Sequence, residues 1–265
     1  MQINLSMTTE LWDLQKPIVP AQSRLFHLEP IGVGTLFVES LMSYIARLAQ
    51  WHCVTPRQLI LKEIAPQMIH KGYPATRWFN TIQRLFSSCS PLIKGNEVAG
   101  IMAISLIQAL EELTLRQDLS RLSLLRQVSS LLEGSQLRKH LAWCPICLEE
   151  WRQAKRAIYL PLIWLVQDLN ICPQHREQPL RQHCLHCQQL FPPLTGCSRP
   201  GFCSKCHSWL GNIPAKQKHQ QLDPKGMEWD LFFPDPLTWQ LFWIDDLEEL
   251  LTKTEQPFYP PKLNY

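Results

Sequence analysis

The amino-acid sequence predicts a mainly α protein: a helical N-terminal domain, then small metal-held α/β modules, then one further helix. Three observations carry this reading. Apolar residues recur at helical spacing through the first half, the pattern gives way to cysteine pairs from Trp143, and "PLTWQLFWIDDLEELLTK" at 236–253 returns to a helical period.

Residues 1–33 read as an irregular arm, because Pro17, Pro20, Pro30 and Gly32 break any period. Residues 34–137 form the predicted helical domain. Within it "TLFVESLMSYIARLAQWH" sets Leu36, Phe37, Leu41, Tyr44, Ile45 and Leu48 at helical spacing. After Trp51 to Val54 a second helix opens, with Thr55 as N-cap, Pro56 in its first turn and Gln58 closing a capping box. So short a join makes the pair a helix-turn-helix or a helical hairpin. "PATRWFNTIQRLF" and "EVAGIMAISLIQALEEL" add two helices, the second apolar on two faces and so buried. "DLSRLSLLRQVSSLLEG" resumes the pattern until Gly134 stops it. Residues 138–211 carry short aromatic and β-branched runs among prolines, which predict small hairpins with little core. Residues 212–265 hold a polar linker, the final helix and a Pro-rich tail.

A hydrophobic content of 45% is enough for a buried core and argues against wholesale disorder. The net charge of +3 permits nucleic-acid contact without requiring it. The chain opens on no signal-peptide pattern, and its longest apolar runs are too short for a bilayer. A cytoplasmic protein without membrane contact is expected. In that compartment thiols stay reduced, so ten cysteines point to metal and away from disulfides.

Eight ligands fall into two quartets. Cys144-x2-Cys147 with Cys172-x2-His175 forms the first, and Cys184-x2-Cys187 with Cys203-x2-Cys206 the second. A two-residue gap lets both side chains of a tight turn face one metal, and four protein donors close a tetrahedral shell with no position open to water. The expectation is two structural Zn2+ ions. His175 in one quartet and the wide spacing of the other argue against an iron–sulfur cluster, and no βαβ pattern surrounds the pairs to suggest a redox motif. Of the remaining cysteines, Cys53 and Cys89 read as buried thiols in helical context, and Cys197 fits neither pair. His183 and His186 flank the second quartet as surface or supporting groups, and Cys206 is preferred over the adjacent His207 as the ligand.

"ESLMSYIARLA" (39–49), "ALEELTLRQDLSRLSLL" (109–125), "WCPICLEE" (143–150), "PLIWLVQDLNICPQHREQPL" (161–180) and "CLHC" (184–187) together resemble the TniQ/TnsD family. These are target-selection proteins of Tn-seven-like transposons, including those that carry CRISPR effectors, and the similarity runs from about Pro17 to about Leu210. The resemblance implies a helix-turn-helix-bearing N-terminal part, two zinc-finger modules and no catalytic activity. It further implies an adaptor that links a guide-RNA CRISPR effector complex to an AAA+ ATPase transposition regulator and directs RNA-guided DNA insertion. The short stretch after the second quartet points to the shorter TniQ type. Members of the family also form dimers, and no coiled-coil seam in this sequence decides that point.

The residues leave other readings open. A sequence-specific DNA-binding protein that selects an attachment site directly would use Thr55 to Ala65 as recognition helix, with Arg57, Gln58 and Lys62 on base or phosphate. The same residues also suit a solvated helix face. A basic group of Arg138, Lys139, His140, Arg152, Lys155 and Arg156 brackets the first quartet, as a nucleic-acid contact or again as a solvated face. An enzyme reading would take Glu149, Glu150 and His140 near the first quartet as acid–base groups, and closed shells argue against one. No phosphate-cradling G-x-x-x-x-G-K-[ST] pattern is present, so ATP hydrolysis falls to a partner. The acidic run Asp245, Asp246, Glu248 and Glu249 would repel phosphate, leaving Trp239, Phe242 and Trp243 to meet protein.

Overall fold

The computed structural model describes residues 22–75, 97–123, 138–167 and 169–211. The helices predicted at 74–86 and 236–253, Gly134 and Cys89 lie outside the described residues, apart from the first two positions of the former. The architecture is mostly helical. Helix α1 spans Leu41–Trp51, α2 Pro56–Leu59, α3 Ala65–His70, α4 Glu97–Thr114 and α5 Pro145–Gln153. Short 3-10 turns lie at Leu119–Leu122 and Leu162–Leu165, and among the described residues four isolated antiparallel bridges supply the β pairing. Among the described residues no helix is long and apolar enough to cross a membrane.

Helix α1 begins later than its apolar period predicts. Ser40 is the N-cap, its hydroxyl accepting from the Ser43 N–H at 3.3 Å. The preceding residues are drawn into a turn and a long-range pairing instead. Gly32 sits at φ 70, and a Cβ there would lie 2.6 Å from the Phe37 carbonyl oxygen. Glu39 then bridges to Pro161: the Ser40 N–H donates to Leu160 O at 3.0 Å and the Leu162 N–H to Val38 O at 2.8 Å. Tertiary pairing overrides local period here.

The turn after α1 is a Schellman motif. Cys53 takes φ 55, its N–H donates to Gln50 O, and the Val54 N–H donates to Ala49 O at 3.0 Å. Cys53 is therefore exposed, correcting the expected buried thiol. The capping box at Thr55 forms as predicted, with the Gln58 N–H on Thr55 Oγ1 at 3.2 Å and the Thr55 N–H on Gln58 Oε1 at 2.9 Å. Between α2 and α3 a π turn, Ile60–Ile64, keeps the helix continuous, the Ala65 N–H reaching Ile60 O. Pro66 explains it. The residue has no N–H, its ring would press on the carbonyl one turn back, and the wider turn relieves both.

Helix α4 buries Met102, Leu106, Ile107, Leu110 and Leu113 against α1 to α3, and the run predicted from Asp118 contributes Leu119 and Leu122. Leu162, Leu165 and Leu194 from the cysteine-rich part belong to this same core. A second core contradicts the expectation of hairpins with little core. Trp143, Leu148, Trp151, Tyr159, Trp164 and Phe191 are all buried, and Trp151 stacks 4.6 Å from Tyr159 and 5.9 Å from Trp164.

A buried ion pair locks the two cores together. Glu39 is fully buried and accepts from Arg47 Nη2 at 2.7 Å, Arg47 Nε at 3.0 Å and the Ser43 hydroxyl at 3.0 Å. Ser43 in turn accepts the Leu160 N–H at 2.9 Å, and Tyr159 donates to the Phe37 carbonyl at 2.9 Å. The Ile31 N–H donates to the same carboxylate at 3.3 Å, and a buried carboxylate is tolerable because all four lone pairs are met.

Candidate metal centres

The first cluster is built on a helix N-terminus. Cys144 is the N-cap of α5, Pro145 follows in the first turn, and Cys147 lies one turn on, so both thiols emerge together beside the positive end of the helix dipole. Cys172 and His175 face them from a turn in which the Cys172 N–H donates to Gln178 O at 2.9 Å and the Gln178 N–H to His175 O at 2.7 Å. The donors converge, with Cys147 Sγ to Cys172 Sγ at 3.6 Å and His175 Nδ1 at 3.5, 3.2 and 3.8 Å from Cys144, Cys147 and Cys172. A tetrahedral ion with metal–sulfur bonds of about 2.3 Å and metal–nitrogen bonds of about 2.0–2.1 Å has edges of about 3.8 and 3.6 Å. The set fits such an ion.

His175 presents Nδ1 to the cluster and turns Nε2 to Glu150, 3.2 Å away. A carboxylate on the far nitrogen fixes the ring and raises its basicity as a ligand. Glu150, an acid–base candidate by sequence, has this supporting role, and its one-turn spacing from Cys147 on α5 was the available signal. The thiols cannot all ionise unaided. Hydrogen bonds from Cys144 and Cys147 hold Cys172 down to about 2, while hydrogen bonds with Cys144 and Cys172 push Cys147 far up. A cation would relieve that conflict, and its binding would release protons.

The second cluster is two copies of one turn. The Gln188 N–H donates to Cys184 O and the His207 N–H to Cys203 O, both at 2.9 Å, with Gln188 at φ 55 and His207 at φ 59. Cys184 Sγ lies 3.6 Å from Cys206 Sγ, and Cys187 Sγ lies 3.7 Å from Cys203 Sγ. All four sulfurs lie within 4.8 Å of one another, again near the tetrahedral edge. Cys184 and Cys203 are buried, Cys187 and Cys206 half-buried. His183, His186 and His207 are exposed, and Cys197 donates to Ser204 O at 3.4 Å outside the cluster.

The predicted nucleic-acid residues do not gather into one patch. Arg138 is buried, donating to Val166 O at 3.1 Å, to Asn170 Oδ1 at 3.0 Å and to Leu169 O, which corrects its expected surface role. Arg152 is exposed but forms a two-bond ion pair with Glu149, whose carboxyl it holds down to about 2, and lies 5.7 Å over the Trp209 ring. Lys139 and Lys155 are exposed and Arg156 is half-buried. Lys155 takes φ 52 in the turn that ends α5. The Arg57 N–H donates to Gly196 O at 3.3 Å, and the Gln58 side chain is spent in the capping box. Lys62 lines a groove of about 450 Å³ with Arg24, His52, Val54 and Glu63.

The fold and the clusters define a mostly helical protein with two four-donor sites able to hold metal. Residues 30–178, more than half of the chain, match the TniQ family model, and the chain belongs to the TniQ family. The match takes in α1 and the whole first cluster and ends before Cys184. A search of curated proteins finds no match.

Proposed function

We propose that this chain is a non-enzymatic target-selection adaptor in transposition. In this reading it links a guide-RNA CRISPR effector complex to the AAA+ transposition regulator and directs RNA-guided DNA insertion. The observation that carries the reading is the TniQ match over 30–178, which joins the helical part to the first cluster. Two structural Zn2+ ions fill the quartets, and four protein donors around each leave no position for water or substrate. The metal sites therefore hold surfaces in shape.

The test substitutes Cys184 and Cys187 together with serine, then measures RNA-guided target binding and transposon insertion in parallel. The expected result is lost insertion with target binding retained. Insertion that persists would refute an adaptor role for the second cluster. If the chain instead reads an attachment site itself through α2, it binds duplex DNA alone, and affinity falls steeply with salt.

A further inference from the structure

We propose that Trp209 is a positioning residue that couples the two metal sites, so that occupancy of the second cluster raises the metal affinity of the first. The inference rests on the metal reading above. It starts from how tightly Trp209 is held. The ring lies against two glycines: a Cβ on Gly201 would come within 2.4 Å of it, and one on Gly211 within 2.5 Å. Phe202 meets it edge-on at 5.2 Å, and Arg152 covers it at 5.7 Å. Its Nε1–H donates to Glu149 Oε2 at 2.9 Å.

On one side, the second cluster sets where Trp209 stands. Phe202 bridges to Trp209, the Cys203 N–H donates to Ser208 O at 2.9 Å, and the Leu210 N–H donates to Gly201 O at 2.9 Å. The hairpin that presents the indole is thus closed around Cys203 and Cys206. On the other side, α5 receives it. That single helix carries Cys144 and Cys147, and it carries Glu150, which orients His175 at 3.2 Å. It also carries the clasp, in which Glu149 accepts from Trp209, from Gln153 at 2.9 Å and from Arg152. Metal at the second cluster fixes the hairpin, the indole fixes α5, and α5 preorganises three of the four groups at the first cluster. Binding to ligands already in place loses less conformational freedom, which is positive coupling.

Coupling between sites is typically about 5–150-fold in affinity, and a contact through one indole places this case near the lower end, about ten-fold. The experiment loads the full chain with Co2+, whose visible absorption distinguishes a three-sulfur, one-nitrogen site from a four-sulfur site, and titrates a competing chelator. The proteins are the wild type, C184S/C187S, W209F and their combination. Trp209→Phe keeps an aromatic ring but removes the N–H. In the wild-type background C184S/C187S weakens the first site about ten-fold. In the W209F background the same pair weakens it by no more than roughly two-fold, because the link is already cut. A ring with only a packing role would instead give losses that multiply in the combined protein, and that result overturns the proposal. Should C184S/C187S fail to fold, chelator release from intact protein decides. In the wild type the first site's hold on its metal weakens about ten-fold as chelator empties the second, and in W209F it stays the same whether the second is filled or empty. A loss in W209F as large as in the wild type also overturns it.

Discussion

The two clusters have nearly equal donor spacing and different sources of rigidity. At the first, two of the three thiols sit at the start of α5 and the site is walled by Trp143, Trp151, Tyr159 and Trp164, so packing and metal hold the same loops. At the second, each of two matching turns carries one buried and one half-buried cysteine, and each places a residue other than glycine at positive φ. A metal site inside a packed core is part of that core. A site made of turns depends on the ion far more than on its neighbours.

The largest effect should come from breaking the first site. Cys172→Ser removes a ligand from a site whose apparent binding energy is on the order of 10–16 kcal/mol. Leu162 and Leu165 lie in the helical core, so the loss should spread into α1 to α4 and collapse the helical circular dichroism in one step. Cys203→Ser should release one ion yet leave most of that signal. Equal losses from both variants would erase the distinction between the sites.

Next in size are changes that spare the metal. Trp151→Ala removes the central ring of the stack and should cost about 3–5 kcal/mol, read as a lower denaturant midpoint. Glu39→Gln leaves Arg47 buried without its countercharge and should cost about 3–5 kcal/mol by the same measurement. A cost below roughly 1 kcal/mol for Glu39→Gln would mean that the joint between the cores is solvated.

The smallest effects concern backbone strain. Cys53, Lys155, Gln188 and His207 each hold a left-handed conformation that disfavours side chains by about 1–2 kcal/mol. Lys155→Gly and Cys53→Gly should each raise stability by roughly 1 kcal/mol, since glycine gains in the folded turn but loses more entropy on folding. Gln188→Gly and His207→Gly should slow metal release from the second cluster.

The parts legible in the sequence were those fixed by neighbours along the chain. The Cys-x2-Cys and Cys-x2-His spacings named every donor that the fold brings together, and Thr55 with Gln58 announced its helix correctly. What escaped was set by distant partners. Nothing near Glu39 tells that it pairs with Arg47 and bridges to Pro161, so the apolar period starts α1 earlier than the fold does. Arg138 looks like a surface cation until Val166, Leu169 and Asn170 surround it. Helix α5 has its signals in the sequence, a proline in the first turn and Leu148 and Trp151 one turn apart, but the Cys144–Cys147 pair at its start has the spacing of a metal-binding turn.

The bridge between Glu39 and Pro161 also sets a schedule for synthesis. Tyr159 and Phe37, which close it, are 122 residues apart in the chain. At a ribosomal rate of about 5–20 residues per second, Phe37 leaves the tunnel roughly 6–24 s before Tyr159 does. Through that interval the Glu39 carboxylate has Arg47 and Ser43 for company, and the Leu160 and Leu162 amides that complete the joint have not yet emerged. A nascent chain halted before Leu162 would carry α1 with the segment that enters it unpaired, an open backbone edge where the second core has yet to dock.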